Sequence, residues 1–125
     1  EAAERFDRVL LDVPPVAANQ SVAAATTADQ RVLVTPDTRR GADALPRMAG
    51  RLRDVDAPAD VELSNRGGEV VERADVHVPE GPTGVADAPA VFADEGFAAG
   101  VAEAAEVVFD VEIEREEGGL LDGLL

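Results

Sequence analysis

The sequence of 125 residues contains no lysine and no cysteine, and aromatic residues make up only 3% of it. Without cysteine, the chain can form neither disulfide bonds nor cysteine-ligated metal sites. No secretory signal is recognisable, and no apolar run reaches the roughly 18 residues that a membrane-spanning helix needs. These absences predict a cytoplasmic protein.

Charge of one sign dominates what is present. The chain has 26 acidic residues against 11 basic residues, all of them arginine, and its formal net charge is −15. Dense carboxylates keep a protein surface hydrated at molar salt, whereas in dilute buffer they repel one another. Together with the absence of lysine, this composition is typical of halophilic proteins. An acidic protein that binds basic partners is the alternative.

Short apolar runs alternate with segments of helical length. The predicted strands are residues 8–12, 31–35, 60–64 and 74–78, and the predicted helices are residues 17–28, 41–54 and 94–108. The second helix is expected to begin near Leu45, so that Pro46 falls in its first turn. Strands that alternate with helices predict one α/β domain, or part of one, with a parallel sheet flanked by helices.

Three of the predicted strands end in polar motifs that follow one another in a defined order. Residues 8–15 read Arg-Val-Leu-Leu-Asp-Val-Pro-Pro, a later strand ends in Thr-Pro at residues 35–36, and a third ends in Asn-Arg at residues 65–66. This ordered set resembles the MinD/ParA family of P-loop ATPases and covers about residues 5–80. The resemblance implies the C-terminal portion of a P-loop NTPase fold, with ATP and Mg²⁺ as cofactors.

The same resemblance assigns roles to individual side chains. Asp12 would be the catalytic carboxylate that holds Mg²⁺ through water, because this cation keeps several waters and prefers oxygen ligands. An asparagine amide both donates and accepts hydrogen bonds, which suits an adenine edge. The residues that match the family's adenine-binding segments are Asn65, Arg66, Pro79, Glu80 and Gly81. As alternatives, Asp12 caps the following turn and Asn65 forms a turn before two glycines.

The phosphate cradle of the family is missing from this sequence. That cradle is a glycine-rich loop with a lysine, whose backbone N–H groups and ammonium hold the phosphates, and no such loop precedes Asp12. Residues 1–110 are therefore interpreted as the C-terminal part of a MinD/ParA-like nucleotide-binding domain. Residues 111–125 are interpreted as an acidic, glycine-broken tail that ends in leucines.

For the intact polypeptide, the resemblance implies an ATPase that dimerises around ATP and acts as a positional switch in cell division or partitioning. The present chain alone is expected to be inactive, because it lacks the groups that stabilise the transferred phosphoryl. A non-catalytic α/β interaction module with a degenerate nucleotide site is the alternative. A glycine-rich loop with lysine in upstream sequence would distinguish the two.

One local positive surface interrupts the acidic sequence, since five of the eleven arginines fall between residues 39 and 53. Arg47 and Arg51 lie four residues apart on one face of the predicted helix, with Arg40 close by. A solvated face neutralised by nearby aspartates is the favoured interpretation, while docking of a protein partner and contact with DNA phosphates are the alternatives. The aspartates in question are Asp37, Asp43 and Asp54.

Two further features receive mainly structural interpretations. His77 lies within a predicted strand and has no serine, cysteine or second histidine near it in the sequence, so we interpret it as structural. The leucine-rich residues 120–125 stand where MinD proteins carry a membrane-targeting helix. They lack the basic residues that anionic lipid attracts, and stable membrane binding is therefore not expected.

Overall fold

The centre of the molecule is a three-stranded parallel sheet. The computed structural model describes residues 2–14, 18–84 and 88–114. The strands are β1 (Val32–Pro36), β2 (Val61–Asn65) and β3 (Val76–Val78), side by side in chain order. The register pairs Val34 with Leu63 and Leu63 with Val76. All three strands therefore end at one edge, which we call the carboxyl edge.

Helices lie before, between and after these strands. They are α1 (Asn19–Thr27), α2 (Arg39–Asp54), α3 (Ala88–Val91) and α4 (Glu95–Phe109). The Thr38 hydroxyl accepts a hydrogen bond from the Gly41 N–H at 3.0 Å, and the Asp94 carboxylate accepts one from the Phe97 N–H at 2.8 Å. Such caps satisfy N–H groups that have no partner within the helix, and they fix where α2 and α4 begin.

The expected start of α2 near Leu45 is wrong, because the helix begins at Arg39. The Thr38 cap fixes its first turn, and burial of Leu45 and Ala49 stabilises a continuous helix. Pro46 lies inside this helix on the exposed side. Because proline has no N–H, one helical hydrogen bond is missing there, and the surrounding packing outweighs that loss.

The two long helices cover opposite faces of the sheet. Leu33 of β1 packs in one buried cluster with Leu45 of α2. Leu63 of β2 packs against a second cluster, which contains Ala104 of α4. Since Leu63 is in register with Val34 rather than Leu33, and side chains alternate along a strand, the two clusters lie on different faces. The faces divide the core between two small clusters.

The predicted parallel α/β arrangement is confirmed, and its later strands and helices lie close to the expected positions. The predicted first strand at residues 8–12 is wrong, since this segment forms no strand. Leu10 is 77% exposed and Leu11 is 64% exposed. A strand needs both backbone pairing and a covered face, and the segment has neither. Its apolar sequence indicated strand propensity but no partner.

Among the described residues, no helix combines the length and the apolar character that crossing a bilayer requires. Of the predicted acidic tail, residues 111–114 are described and follow α4 without a helix or strand. Its leucine-rich end, residues 120–125, lies outside the described residues.

Candidate functional site

The carboxyl edge of the sheet brings together the residues that the sequence assigned to adenine binding. The Asn65 carbonyl at the end of β2 accepts a hydrogen bond from the Asp37 N–H at 2.9 Å, and the Arg66 N–H donates to the Val78 carbonyl at 3.0 Å. The segment 65–66 therefore bridges the ends of β1 and β3. Residues 79–81 begin directly after Val78 and extend from the same edge.

Asn65 offers an unused amide at this edge. Its side chain is half-buried and forms no hydrogen bond with another described residue. Arg66 is exposed and has a left-handed backbone with φ of 68°. This conformation is uncommon for a residue other than glycine, and here the backbone bond to Val78 accompanies it. Two successive residues of this edge thus carry an unused, half-buried amide and an exposed guanidinium.

Residues 79–81 run from the carboxyl edge towards the helices behind it. Glu80 is exposed, whereas Pro79 and Gly81 are half-buried. A Cβ added at Gly81 would lie 3.3 Å from the Val91 side chain and 3.4 Å from the Phe97 ring. The Gly81 backbone therefore approaches these apolar side chains closely. The segment is polar on its exposed side, at Glu80, and apolar on the side that faces Val91 and Phe97.

A buried carboxylate closes the loop that follows β2. Asp37 is only 8% exposed, and its side chain accepts hydrogen bonds from the Val71 N–H at 2.9 Å and the Val70 N–H at 3.4 Å. A Cβ added at Gly67 would lie 2.7 Å from the same carboxylate. Asp37 thus anchors the loop after Asn65. The interpretation of Asp37 as a neutralising partner of the helix arginines is wrong.

Replacement of Asp37 by alanine is expected to lower stability by about 1–3 kcal/mol, because the buried Val71 N–H would lose its acceptor. Asp43→Ala is the matched control, since Asp43 is exposed on α2. Thermal melts followed by circular dichroism, together with hydrogen exchange at the Val71 amide, measure the effect. Equal melting temperatures for the two variants, with Val71 still protected, would contradict the anchoring role.

A serine–histidine pair that the sequence did not reveal joins β2 to β3. Ser64 and His77 are in register across the sheet, and the Ser64 hydroxyl lies 2.6 Å from the His77 Nδ1. Ser64 has no exposed surface, so no substrate reaches its oxygen. We therefore read the pair as a cross-strand hydrogen bond rather than a catalytic dyad. The sequence signal was a polar residue in each of two apolar strands, but the register was needed to pair them.

Asp12, the predicted magnesium ligand, lies outside the sheet. It is exposed in the irregular segment before α1 and lines a shallow pocket of about 250 Å³ that also includes Ser21 and Ala24 of the helix. The described part of the chain contains no group of three or more histidine, aspartate or glutamate side chains arranged to hold a metal ion. A single carboxylate that holds Mg²⁺ through water is not such a group, so the role of Asp12 stays a prediction.

The arginines of α2 form an exposed basic surface. Arg40, Arg47 and Arg51 are all exposed, and we call this stripe the α2 arginine surface. Ion pairs in the described structure join Arg31 to Asp60 and Arg73 to Glu62, and none involves an arginine of α2. The expected neutralisation by Asp43 and Asp54 therefore does not take the form of direct ion pairs.

Searches against protein-family models, curated proteins and solved structures found no match to this chain. The function is therefore inferred from the chain's own motifs and geometry.

Proposed function

We propose that this chain provides the base-binding part of a MinD/ParA-like, ATP-dependent switch. The observation that carries the proposal is the unused Asn65 amide at the carboxyl edge, between the ends of β1 and β3. In open α/β sheets, ligands bind outside the carboxyl ends of the strands. The residues that the family resemblance assigns to adenine meet at this edge.

The chemistry of the edge suits an adenine base. The Asn65 amide offers a donor and an acceptor side by side, as an adenine edge requires. The exposed Arg66 guanidinium is planar and stacks well on aromatic rings. Residues 79–81 would close over the base, with Val91 and Phe97 supporting Gly81 from behind. The edge thus offers polar groups that can recognise adenine and apolar side chains that can support the segment covering it.

The phosphates must be held by groups outside this chain. The chain has no lysine, and its net charge of −15 repels a polyphosphate. Asp12 remains the one carboxylate that the family resemblance assigns to Mg²⁺, and it would act together with groups of the intact protein. The phosphate loop would therefore belong to the longer, intact polypeptide, outside these 125 residues. Hydrolysis, nucleotide-dependent dimerisation and positional switching would be activities of that intact protein in the cytoplasm.

The α2 arginine surface favours a second candidate function, a non-catalytic interaction module. Arginines without ion pairs to described residues are available to an acidic partner, most readily a protein partner. Contact with DNA phosphates would use the same residues but would weaken steeply with added salt. This module would use the sheet only as a scaffold, so the carboxyl edge would not respond to nucleotides.

Adenine nucleotides are expected to bind weakly at the carboxyl edge of the isolated chain. In ¹⁵N-resolved NMR spectra in molar KCl, AMP and ATP should shift the amide resonances of Asn65, Arg66, Glu80 and Gly81, with a dissociation constant on the order of 1 mM. UTP should shift them less, because its base presents a different pattern of donors and acceptors. AMP and ATP should act similarly, since the base rather than the phosphates is recognised.

Two asparagine variants make this test specific. Asn65→Ala should remove the shifts, whereas Asn19→Ala should preserve them, because Asn19 is exposed at the start of α1. The isolated chain should hydrolyse ATP no faster than buffer. Unchanged edge resonances at saturating AMP and ATP would refute adenine binding and leave the interaction module as the better reading.

A further inference from the structure

Ser64 and His77 meet on the α2 face of the sheet, close to its carboxyl edge. The two residues are in register on β2 and β3. Val76 and Val78 flank His77 on β3 and pack in the cluster of the α4 face, so the His77 side chain lies on the opposite face. His77 is half-buried, and its Nδ1 lies 2.6 Å from the Ser64 hydroxyl oxygen.

The burial of Ser64 determines the direction of this hydrogen bond. Ser64 has no exposed surface, so its hydroxyl proton must be donated to an acceptor within the protein. Among the described residues, the partner of this hydroxyl is the His77 Nδ1. Nδ1 therefore accepts the hydrogen bond, and the neutral imidazole carries its own proton on Nε2. Loss of the acceptor would leave a buried hydroxyl unpaired, which is costly.

Both sides of the candidate adenine site begin directly after this pair. Asn65 follows Ser64 on β2. Val78 follows His77 on β3, and residues 79–81 continue from it. A shift of β3 along β2 by one residue would move residues 79–81 by about 3.3 Å relative to Asn65. The geometry of the site therefore depends on the register between these two strands.

Few backbone groups hold β3 in this register, because the strand is three residues long and pairs with β2 alone in the described sheet. Side chains add to the pairing at both of its ends. Before β3, the Arg73 Nε donates to the Glu62 carboxylate at 2.7 Å, and the Asp75 carboxylate accepts from the Glu62 N–H at 2.8 Å. Near the carboxyl edge, the corresponding link is the hydrogen bond between Ser64 and His77.

We propose that the hydrogen bond from Ser64 to His77 positions the two sides of the candidate adenine site relative to each other. Both are positioning residues, because Ser64 has no surface that a ligand could contact and the bond acts through Asn65 and residues 79–81. The inference rests on the proposed function for the identity of the ligand. The alignment of the edge is nevertheless measurable without nucleotide.

Three single substitutions in the 125-residue chain test this role in molar KCl. His77→Leu and Ser64→Ala each remove the bond, whereas His77→Asn keeps an acceptor oxygen close to the position of Nδ1. We expect the first two variants to weaken AMP binding about tenfold, measured by the amide shifts of Asn65 and Gly81. Hydrogen exchange at the Arg66 amide, which donates to the Val78 carbonyl, should become faster. His77→Asn should restore both properties.

Arg73→Gln is the matched control, because it removes a side-chain link between the same strands at the end away from the site. It should leave AMP binding and the Arg66 exchange rate unchanged. The double variant Ser64→Ala/His77→Leu should weaken AMP binding no more than His77→Leu does, since both substitutions remove one bond. Long-range ¹H–¹⁵N spectra of the parent chain should show that the His77 Nδ1 carries no proton.

Several outcomes would contradict the positioning role. One is His77→Asn behaving like His77→Leu, and another is Arg73→Gln weakening AMP binding as much as Ser64→Ala, which would indicate a general loss of stability. A neutral His77 with its proton on Nδ1 would refute the inferred direction of the bond. If AMP does not shift the parent chain, the proposed function fails, and the Arg66 amide decides. Faster exchange in Ser64→Ala but not in Arg73→Gln would support the positioning role, and equal exchange would refute it.

Discussion

Replacement of Gly41 by alanine is expected to unfold the chain or to destabilise it by about 3 kcal/mol or more. A Cβ at this position would lie 2.1 Å from the Pro36 carbonyl oxygen and 2.7 Å from the Thr35 hydroxyl. The first of these is a backbone atom at the end of β1, so no side-chain rotation relieves the overlap. The first turn of α2 would have to move away from the sheet, and the Thr38 cap would be lost with it.

Gly50→Ala provides the control within the same helix. The nearest atom to a Cβ at Gly50 is the terminal nitrogen of Arg53, at 3.9 Å, so the methyl group has room. Glycine in a helix interior costs roughly 0.5–1 kcal/mol relative to alanine, and Gly50→Ala should therefore stabilise the protein by that amount. Thermal and urea melts of both variants at one KCl concentration measure the contrast. Two variants that melt alike would show that α2 does not approach β1 as described.

The strands that the sequence predicted correctly are those whose neighbours also follow in sequence order. The runs around Val34, Leu63 and Val76 pair with one another, and each is connected to the next by a helix or loop that returns the chain to the sheet. Residues 8–12 have the same apolar character, but no described strand pairs with them. Local pattern reports the propensity for a strand, whereas pairing depends on what lies beside it.

The candidate site was predictable where its residues directly follow strands. Asn65 and residues 79–81 meet because parallel strands place their carboxyl ends at one edge, and their order in sequence was sufficient to expect this. The roles of Asp37 and of the pair of Ser64 and His77 were not predictable. The first depends on how the loop after β2 folds back, and the second depends on the register between two strands.

The position of the α2 arginine surface was predicted from helical spacing alone, because Arg47 and Arg51 lie one turn apart. The absence of ion pairs between these arginines and the described aspartates was not predicted. Asp37 appeared close in sequence, but the start of α2 turns it towards Val71 and away from the helix surface. Asp37 therefore forms no ion pair with the nearby arginines. Its carboxylate instead accepts a hydrogen bond from a buried backbone N–H group, which would be costly to leave without a partner.

Stability is expected to rise strongly with KCl concentration. The 26 acidic residues face only 11 arginines, so the folded chain concentrates a net charge of −15 on a small surface. The Debye length falls from about 30 Å at 0.01 M salt to about 3 Å at 1 M, which removes most repulsion between separate carboxylates. The core offers little compensation, because the buried apolar side chains of the described residues are mostly alanine and valine, with three leucines.

Thermal melts in dilute buffer and in molar KCl measure this dependence. We expect the melting temperature to increase by roughly 15 °C, which corresponds to about 3 kcal/mol for a domain of this size. A melting temperature that stays constant across this range of KCl would contradict the halophilic interpretation. The radius of gyration, measured by small-angle scattering, should decrease over the same range of KCl, since repulsion expands the chain before it unfolds it.

A charge variant separates screening of repulsion from general salt effects on apolar burial. Glu103, Glu112 and Glu114 are all exposed, and their replacement by glutamine changes the net charge from −15 to −15 + 3 = −12. If repulsion limits stability, this triple variant should melt at a higher temperature than the parent in dilute buffer, and the difference should vanish in molar KCl. If salt acts only by strengthening apolar burial, the two proteins should melt alike at every concentration. Since glutamine keeps the size and the polar character of glutamate, any difference in dilute buffer is attributable to charge.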